Sequence, residues 1–541
     1  MNYKRFLVML GLIILGVLLG STALYTPIPN TTNDDVFNTK LATEYIGEIS
    51  KEPHSVFDEV AHERVRLYLK DQLTTFLGSD NVYEKHYDKA LFDNDIDYDV
   101  DNLLGVIEGE NETGILLVGH YDSRGHIGRS GELGYSYGAA DDGYALAFLL
   151  EVARLYQDKT PENSIYILMT DAEETGLYGA KKAALDQELM DKVGFVINIE
   201  ARGVQGPVYM FETSTNNDKI LDFYKKTELP VSYSLATAVY TVMPNSTDFT
   251  EFLKADKNGI NFAVLNGLYY YHTPLDNYTN INQSSIEHYG STIMPLVDEF
   301  ANGEQYSDIN YFDGSGDKVF FTVLPNVFIT YGENVASVLH VLFFVLLLGL
   351  VMFVTIKKQL EFKSVLKGGL AVMGSLIFAV ILGNIVGRFI AFLSKVPFNM
   401  TYVRTQYGDL PSLLTLVFVF LFFSFLYYKR GTDFKKGIVS TGAFINLLIA
   451  VLTGFALSGA SFLFLIPGFS GLILFAMLNY CKKKIVKNIV LSVLIVINVM
   501  IVVPILFSLY LALTIGGLLA LGAILCFYLF FIIPAMFELD Y

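Results

Sequence analysis

The pattern of apolar and polar positions divides the chain into three stretches. Residues 6–25 form an uninterrupted apolar run directly after Lys4 and Arg5, and this run is long enough to span a bilayer. From about residue 30 to about 325, short apolar segments alternate with polar ones, and after about residue 330 long apolar runs return. The pattern therefore predicts an N-terminal membrane segment (1–29), a globular domain (30–325) and a multispan membrane region (326–541).

The middle stretch has the pattern of an α/β domain. Short apolar segments such as GILLVGH, NSIYILMT, GFVINIE and INFAVLN predict strands. The segments VAHERVRLYLKDQLTTFL and GYALAFLLEVARLYQ place apolar residues three and four positions apart, which predicts helices. Because the two kinds of segment alternate, we expect a mostly parallel central sheet flanked by helices.

The last stretch is predicted to be an all-α membrane region with about seven helices. Its apolar runs lie at 334–356, 368–394, 411–428, 437–456, 460–479, 487–509 and 513–535. Basic clusters at 357–367, 429–436 and 482–487 separate some of these runs. With seven spans, all three clusters fall on the same side of the membrane as Lys4 and Arg5, as the preference of basic segments for the cytoplasmic side requires. The globular domain is then predicted to face outward or into a lumen.

Two interpretations of the first apolar run remain open, an uncleaved anchor and a signal peptide. No clear small-residue cleavage site follows the run, so the anchor is favoured. Both interpretations send the globular domain across the membrane.

Composition favours a lipid bilayer and argues against nucleic acid as a partner. Hydrophobic residues make up 52% of the 541 residues, which is more than a purely soluble enzyme of this length would carry. The net charge of −17 opposes binding to phosphate backbones, which requires clustered basic residues. Both cysteines, Cys481 and Cys526, lie in the apolar C-terminal region, so the globular domain has no internal disulfide.

Side chains that can bind a metal follow the predicted strands directly. They occur in ILLVGHYDSRG, YILMTDAEETG, FVINIEARG and LYYYHTPLDN, and a fifth segment, YGAADDGYALAFLL, places two aspartates just before a helix. The residues are His120, Asp122, Glu173, Glu174, Glu200 and His272, with Asp141 and Asp142 before the helix. Because the carboxyl ends of parallel strands share one edge of a sheet, these side chains are expected to converge there.

The residue types suit a zinc site. Catalytic zinc binds histidine nitrogen and carboxylate oxygen and keeps a position open for water, and two neighbouring zinc ions need a bridging carboxylate. Asp122, two residues after His120, is suited to orient the imidazole of that histidine.

Each residue alone has a simpler interpretation. A single histidine at the end of a strand is usually structural, the two aspartates suit a helix N-cap, and adjacent glutamates are usually solvated loop charges. Five such positions at matching strand ends favour the metal hypothesis, because the simpler explanations are independent of one another and the metal explanation is shared.

In combination, GHYDS, GAADD, AEETGLYGA and YHTPLDN resemble the co-catalytic di-zinc aminopeptidase family, which includes aminopeptidase Y and glutamate carboxypeptidase II-like metallopeptidases. The resemblance covers roughly residues 45–300 and implies a zinc-exopeptidase-like α/β fold. The order of anchor, peptidase domain and multispan region is most similar to the Fxna-type membrane-bound endoplasmic reticulum metallopeptidases and their bacterial membrane relatives.

The resemblance also implies two zinc ions per chain and assigns their ligands by position. Asp141 would bridge the two ions. His120 and Glu200 would complete one site, and Glu174 and His272 would complete the other.

The same resemblance makes Glu173 the general base, with Asp122 beside it in the catalytic group. Glu173 would take a proton from the water that attacks the carbonyl carbon and pass it to the departing amine.

Three departures from the family pattern are visible. Glu200 stands where many members have an aspartate, and Tyr144-Ala145 replaces the usual Ser-Gly after the two aspartates. The loop from Ser123 to Tyr137 is longer than in small secreted members, and His126 within it is expected to be a loop residue rather than a ligand.

The sequence therefore predicts a membrane-tethered zinc exopeptidase, first of all an aminopeptidase acting on peptides. A carboxypeptidase and a non-catalytic receptor or scaffold on the same fold remain alternatives, and the resembling fold also includes one-zinc glutaminyl cyclases. The expected location is a bacterial cell membrane with the domain outside, and the alternative is an endoplasmic reticulum or vacuolar membrane with the domain in the lumen. Tyr269, Tyr270 and Tyr271 are expected to form an aromatic core strand, with an apolar substrate pocket as the alternative.

Overall fold

The computed structural model describes residues 3–92, 96–125, 135–240, 243, 245–358, 361–428 and 431–539. The chain divides into two compact units. One comprises residues 25–232 and 239–318, and the other comprises residues 1–24, 233–238 and 319–541. The first helix, α1 (Tyr3–Ser21), belongs to the second of these units.

The α/β unit is built on a seven-stranded mixed sheet. The strands are β1 (Val82–Tyr87), β2 (Val100–Ile107), β3 (Asn111–His120), β4 (Asn163–Thr170), β5 (Val193–Ala201), β6 (Gln205–Thr213) and β7 (Gly259–Asn266). Their order across the sheet is β1-β2-β4-β3-β5-β7-β6. The four neighbours β4, β3, β5 and β7 are parallel, as predicted, whereas β2 and β6 run antiparallel to their partners. The parallel sheet is thus confirmed at its centre and becomes mixed towards its edges.

Helices in the region of the chain around these strands are mostly short. They are α2 (Thr39–Ile49), α3 (Glu59–Leu77), α4 (Gly143–Tyr156), α5 (Glu173–Gly176), α6 (Tyr178–Ala183), α7 (Gln187–Met190), α8 (Asp218–Tyr224), α9 (Ser234–Tyr240), α10 (Asp248–Lys254) and α11 (Gln283–Asn302). The helix α4 is buried along most of its length because its sequence, GYALAFLLEVARLY, is apolar on nearly every side. It packs against β3, where a Cβ on Gly119 would lie only 2.7 Å from the Cβ of Ala145.

One apolar core fills the space between the sheet and the helices α6, α7 and α10. Leu116, Val118 and Val196 from the strands pack with Phe249 and Phe252 of α10. Both phenylalanines are fully buried, and each contributes about 1.5–3 kcal/mol relative to an exposed side chain. This packing holds α10 against the central strands.

The second unit is helical and apolar. After a hairpin of β8 (Lys318–Leu324) and β9 (Val327–Gly332), it contains α12 (Glu333–Ile356), α13 (Phe362–Leu393), α14 (Asp409–Tyr427), α15 (Thr432–Ala456), α16 (Phe462–Tyr480), α17 (Lys484–Leu513) and α18 (Leu518–Glu538). Each of the seven predicted apolar runs overlaps one of α12–α18. By length and hydropathy, 7 segments within the described ranges can cross a membrane, and one of them, Lys484–Glu538, includes both α17 and α18.

The N-terminal helix packs closely on α17 within the helical unit. A Cβ on Gly20 would lie 2.4 Å from the backbone oxygen of Met500, so the backbones touch at this position. Small residues permit such close approach between apolar helices, where packing replaces the hydrophobic effect as the source of stability.

Basic residues gather at one end of the helical unit. Lys435 and Lys487 donate to the Glu538 carboxylate at 2.8 and 2.9 Å, and Arg5 donates to the backbone oxygens of Met536 and Phe537. These three cations come from the N-terminal segment and from two of the basic clusters. Parts of those clusters therefore lie at one end of the helical unit.

In the α/β unit, a buried ion pair ties α3 to the end of β4. His62 Nε2 lies 2.9 Å from Asp171 Oδ1, and the other oxygen of this fully buried carboxylate accepts a hydrogen bond from the backbone nitrogen of Asp101 at 3.0 Å. The imidazole of His62 also stacks on Tyr121, with ring centroids 5.0 Å apart. Among the described residues, His62 is therefore the only side chain that forms an ion pair with Asp171.

This pair predicts a pH-dependent contribution to stability. Burial lowers the pKa of His62. The charge and hydrogen bond of Asp171, with a contribution from Asp122, raise it by a larger amount, so the pKa lies above the ordinary value of 6.5. A raised folded pKa stabilises the fold at pH values below 6.5, and this stabilisation is lost as the pH rises through the folded pKa. We expect His62→Gln to cost about 1.5–3 kcal/mol near pH 5.5, and less near pH 9.

Unfolding of the detergent-solubilised chain at both pH values would measure the effect. His86→Gln is a matched control, because His86 also pairs with an aspartate, Asp101, but is exposed on β1. An equal deficit of His62→Gln at both pH values would contradict the ion-pair interpretation.

Candidate metal centre

The predicted site residues lie at one edge of the sheet. His120 is the last residue of β3, Glu200 is the penultimate residue of β5, and Glu173 and Glu174 begin α5 just after β4. Asp141 lies in the turn before α4, and its peptide bond to Asp142 is cis. His272 is separated from the end of β7 by five residues rather than following it directly. Parallel strands bring their carboxyl ends together, and the loops that follow them complete the cluster.

The chain turns sharply after β4 to present the two glutamates. Ala172 has φ 58°, a left-handed conformation that costs a non-glycine residue about 1–2 kcal/mol. The Asp122 carboxylate accepts hydrogen bonds from the backbone nitrogens of Glu173 at 2.9 Å and Glu174 at 3.2 Å. These two bonds hold the strained turn in place, so neighbouring carboxylates can point in different directions.

Two groups of possible metal ligands share Asp141. In the first, His120 Nε2 lies 3.3 Å from Asp141 Oδ1 and 3.9 Å from Glu200 Oε2. In the second, His272 Nε2 lies 3.2 Å from Asp141 Oδ2 and 3.0 Å from Glu174 Oε1. Asp141 thus offers a different oxygen to each group, which is the geometry of a bridging carboxylate.

The residues fit two zinc ions. Ligands about 2.1 Å from a tetrahedral zinc ion are about 3.4 Å from one another, and the measured separations lie around that value. Four of the ligand atoms are buried and make no well-oriented hydrogen bond within the described part of the chain: His120 Nε2, Asp141 Oδ2, Glu174 Oε1 and His272 Nε2. An unpaired buried polar atom costs about 1–3 kcal/mol, and a cation in each group would satisfy these atoms together.

The electrostatics of the site also favour a cation. Burial raises the pKa of Glu200 well above its ordinary range, and the carboxylates of Asp142 and Asp141 add to the rise. Burial also raises the pKa of Glu173, to which Glu200 contributes. Asp141 behaves in the opposite way: burial raises its pKa, but His120 and His272 together lower it by more. The site holds more buried acidic groups than its basic side chains neutralise, as expected where a bound cation supplies positive charge.

The structure adds two residues that sequence analysis did not single out. Arg124 Nη1 donates to Glu174 Oε2 at 2.8 Å, which leaves Oε1 for the second group. Asn198 Nδ2 donates to Glu200 Oε1 at 3.2 Å, which leaves Oε2 for the first group. An asparagine inside the apolar strand FVINIE is a signal that sequence analysis could have used, since a buried amide needs a partner.

Asp122 has a different main contact from the expected one. The Nδ1 atom of His120 is closest to the backbone oxygen of Asp122, at 2.9 Å, and lies 3.5 Å from its Oδ1. The carboxylate is engaged mainly with the backbone of α5, as described above. Asp122 therefore contacts both His120 and the turn that carries Glu173.

Asp276 joins the loop of His272 to the turn of Asp141. Its Oδ1 accepts from the backbone nitrogen of Ala140 at 2.8 Å, and its Oδ2 accepts from the backbone nitrogen of Asp141 at 3.2 Å and from Ser136 Oγ at 3.0 Å. Burial raises the pKa of Asp276 to about 7, and the Asp141 carboxylate adds to this. In the sequence, Asp276 stands out only as part of the segment YHTPLDN.

The residues that depart from the family pattern lie in different environments. Ala145 fits against Gly119, and the Tyr144 hydroxyl donates to the backbone oxygen of Val204 and accepts from the nitrogen of Asn282, both at 2.8 Å. His126 lies outside the described residues.

The predicted core strand at 269–271 is wrong, because these tyrosines lie in the turn after β7 and are only partly buried. The left-handed conformations of Gly267 and His272 turn the chain there.

Comparison with known proteins connects this geometry to a family. Residues 102–297 match Peptidase family M28. These residues are a Peptidase M28 domain. The matched range covers the strands β3, β4, β5 and β7 and all five candidate metal ligands.

Relatives of the M28 domain include membrane proteins. The chain is 28% identical over 323 residues to the vacuolar membrane protease of Candida dubliniensis, a match that covers 57% of this chain and 33% of the relative. It is 27% identical over 308 residues to a Schizosaccharomyces pombe protein whose name refers to an endoplasmic reticulum metallopeptidase, covering 55% and 35%. The chain spans about a third of the length of these relatives. Neither name supports the expected bacterial cell membrane.

A solved structure is also similar. The Zn-dependent exopeptidase from Parabacteroides distasonis matches with a TM-score of 0.39 and 20% identity, and the match covers 48% of this chain and 98% of that chain.

Asp276 generates a stability prediction for the M28 domain. In Asp276→Asn, the new NH₂ group would face a backbone N–H of Ala140 or Asp141, which leaves a buried donor without an acceptor. We expect a loss of about 1–3 kcal/mol in unfolding free energy. Thermal unfolding of the purified chain would measure it, with the exposed Asp308→Asn as a control. Equal stability of Asp276→Asn and the wild type would contradict the anchoring role.

Proposed function

We propose that the M28 domain is a membrane-tethered zinc exopeptidase, and that it acts as an aminopeptidase. The observation that supports this most is the pair of ligand groups that share Asp141, with Glu173 next to Glu174. A peptide would bind with its N-terminal residue at the sheet edge and its first peptide bond beside Asp141.

Two zinc ions per chain would occupy the two groups, with ligands His120, Asp141, Glu174, Glu200 and His272. Bound zinc supplies an acidified water and polarises a carbonyl group, which are the two requirements of peptide hydrolysis. Arg124 and Asn198 would hold the second oxygens of Glu174 and Glu200 away from the metals.

Glu173 is the proposed general base. Its side chain is partly buried at the start of α5 and makes no hydrogen bond to any described residue, so it is free to exchange protons. It would accept a proton from the attacking water as the new C–O bond forms. It would then donate this proton to the amine nitrogen as the C–N bond breaks. The strained turn at Ala172 supports these separate proposed roles, because it lets the two adjacent side chains point in different directions.

The proposed setting is a membrane with the M28 domain on the side opposite the basic residues. The cations around Glu538 mark the cytoplasmic end of the helical unit under the positive-inside tendency. The names of the two relatives favour a vacuolar or endoplasmic reticulum membrane, with the domain in the lumen. A non-catalytic scaffold is the second candidate, but the complete set of ligands and the base favour the enzyme.

Hydrolysis of matched peptides tests the reaction. We expect the zinc-loaded chain to cleave a peptide with a free N-terminus and to spare its acetylated counterpart, and a chelator should abolish cleavage. Glu173→Gln should lower turnover by about 10²–10⁴-fold, because the base is lost. Preference for the acetylated peptide would reject the aminopeptidase, and full activity in Glu173→Gln would reject the base.

Metal content separates the two glutamates. We expect about two zinc equivalents in the wild type and in Glu173→Gln, and a lower content in Glu174→Gln because a ligand carboxylate is removed. Elemental analysis after dialysis would measure the ratio. A full zinc content in Glu174→Gln, or a loss in Glu173→Gln, would show that the roles are assigned to the wrong residues.

A further inference from the structure

A row of buried polar side chains crosses the sheet beside Glu200. Asn198 of β5, Asn261 of β7 and Glu212 of β6 are direct partners in the strand register, so their side chains lie on one face of the sheet. Asn198 and Asn261 are fully buried, and Glu212 is 9% exposed. Burying three such groups is costly unless they have partners.

The hydrogen bonds of this row run in one direction. Asn198 Nδ2 donates to Glu200 Oε1 at 3.2 Å and to Asn261 Oδ1 at 3.0 Å. Asn261 Nδ2 donates to Glu212 Oε2 at 3.0 Å and to Thr247 Oγ1 at 2.9 Å. Because ionised carboxylates only accept, the two ends of the row fix the orientation of both amides, and all four amide hydrogens are used.

The row therefore leaves acceptors without donors. Asn198 Oδ1 is buried and has no partner within the described ranges, and Glu212 makes its only hydrogen bond there through Oε2. No lysine, arginine or histidine in the described part of the chain pairs with Glu212, and burial raises the pKa of this carboxyl to about 7. A ligand with hydrogen-bond donors and a positive charge would satisfy Asn198 Oδ1 and the second carboxylate oxygen of Glu212.

An aromatic side chain lies beside Glu212. The ring of Tyr240 packs edge-on against Phe211, with centroids 4.9 Å apart. Its hydroxyl is buried without a well-oriented partner among the described residues, and it lies within the electrostatic influence of Glu212, Glu200 and Glu173. Tyr240 thus offers an aromatic ring and a hydroxyl close to the row.

We propose that Glu212 determines substrate specificity by receiving the cationic side chain of an N-terminal lysine or arginine, with Asn198 and Tyr240 as further polar contacts. The inference rests on the proposed aminopeptidase function and names its substrate class. β7 separates β5 from β6, so the Glu212 strand lies about 10 Å from the strand of the ligand Glu200. A long side chain spans this distance better than a short one.

The matched substrates are lysine and norleucine anilides, which differ only in the terminal ammonium group. We expect kcat/KM of the zinc-loaded full chain to favour lysine by about 10²-fold, because an apolar side chain leaves the buried acceptors unpaired. In Glu212→Gln, the lysine value should fall at least about tenfold, whereas the norleucine value should stay within about twofold. Glu188→Gln removes an exposed carboxylate on α7 and should leave both values unchanged.

Two results would overturn the proposal: a wild-type preference for norleucine, or the same lysine-to-norleucine ratio in Glu212→Gln. Glu212→Asp provides a second variant that keeps the charge if Glu212→Gln does not fold. Because its carboxylate is one methylene shorter, Glu212→Asp should favour arginine over lysine relative to the wild type, and an unchanged ratio would count against the proposal.

A binding measurement separates this inference from the proposed reaction. Calorimetry with lysinamide and norleucinamide on zinc-loaded Glu173→Gln should show about tenfold tighter binding of lysinamide, and Glu173→Gln combined with Glu212→Gln should lose that difference. If the wild type cleaves neither anilide, the aminopeptidase is rejected, and this binding preference still decides the role of Glu212. Equal binding of the two amides would reject that role even if both anilides are cleaved.

Discussion

Buried negative charge at one edge of the sheet is the constraint on which the site depends. Glu174 and Glu200 are each held within a few ångströms of Asp141 by elements far apart in sequence. Burial and mutual repulsion oppose this arrangement, and the two histidines offset only part of the charge. Divalent cations would remove the conflict, which explains why four ligand atoms are buried without hydrogen bonds. The fold therefore keeps a locally unfavourable cluster whose stability depends on what it binds.

In Glu174 and Glu200, one carboxylate oxygen accepts a hydrogen bond from a neighbouring side chain and the other oxygen faces a histidine. Arg124 takes one oxygen of Glu174, Asn198 takes one oxygen of Glu200, and the remaining oxygens face the histidines. Asp141 instead offers one oxygen to each histidine. This division requires rigid supports, and the bonds of Asp122 to the α5 backbone and of Asp276 to the Asp141 turn supply them. The ligand geometry is thus set by hydrogen-bond donors, Arg124 and Asn198, and acceptors, Asp122 and Asp276, outside the ligand groups.

Sequence reasoning worked where the signal is periodic or local. Apolar runs ending in His120 and Glu200 predicted strands and their shared edge, because parallel strands align their carboxyl ends. The prediction of a core strand at Tyr269 to Tyr271 was wrong, because aromatic residues occur both in strands and in half-buried turns. Arg124 and Asp276 were missed because their partners lie 50 and 135 residues away, and only the fold decides which polar side chains meet. Asn198 is different, because its partner Glu200 is only 2 residues away and a buried amide in an apolar strand was a local signal.

The row from Glu200 to Glu212 connects the metal centre to the proposed substrate contact. Each asparagine amide has two hydrogens, and the carboxylates at the two ends orient both amides. If Glu212 lost its charge, the amide of Asn261 would no longer be forced to donate towards it, and only Glu200 would then fix the row, through its hydrogen bond from Asn198. A cationic side chain bound at Glu212, as proposed, would keep that carboxylate ionised and so keep Asn261 donating towards it. Under that proposal, substrate charge and the orientation of Glu200 would be linked through the same four amide hydrogens.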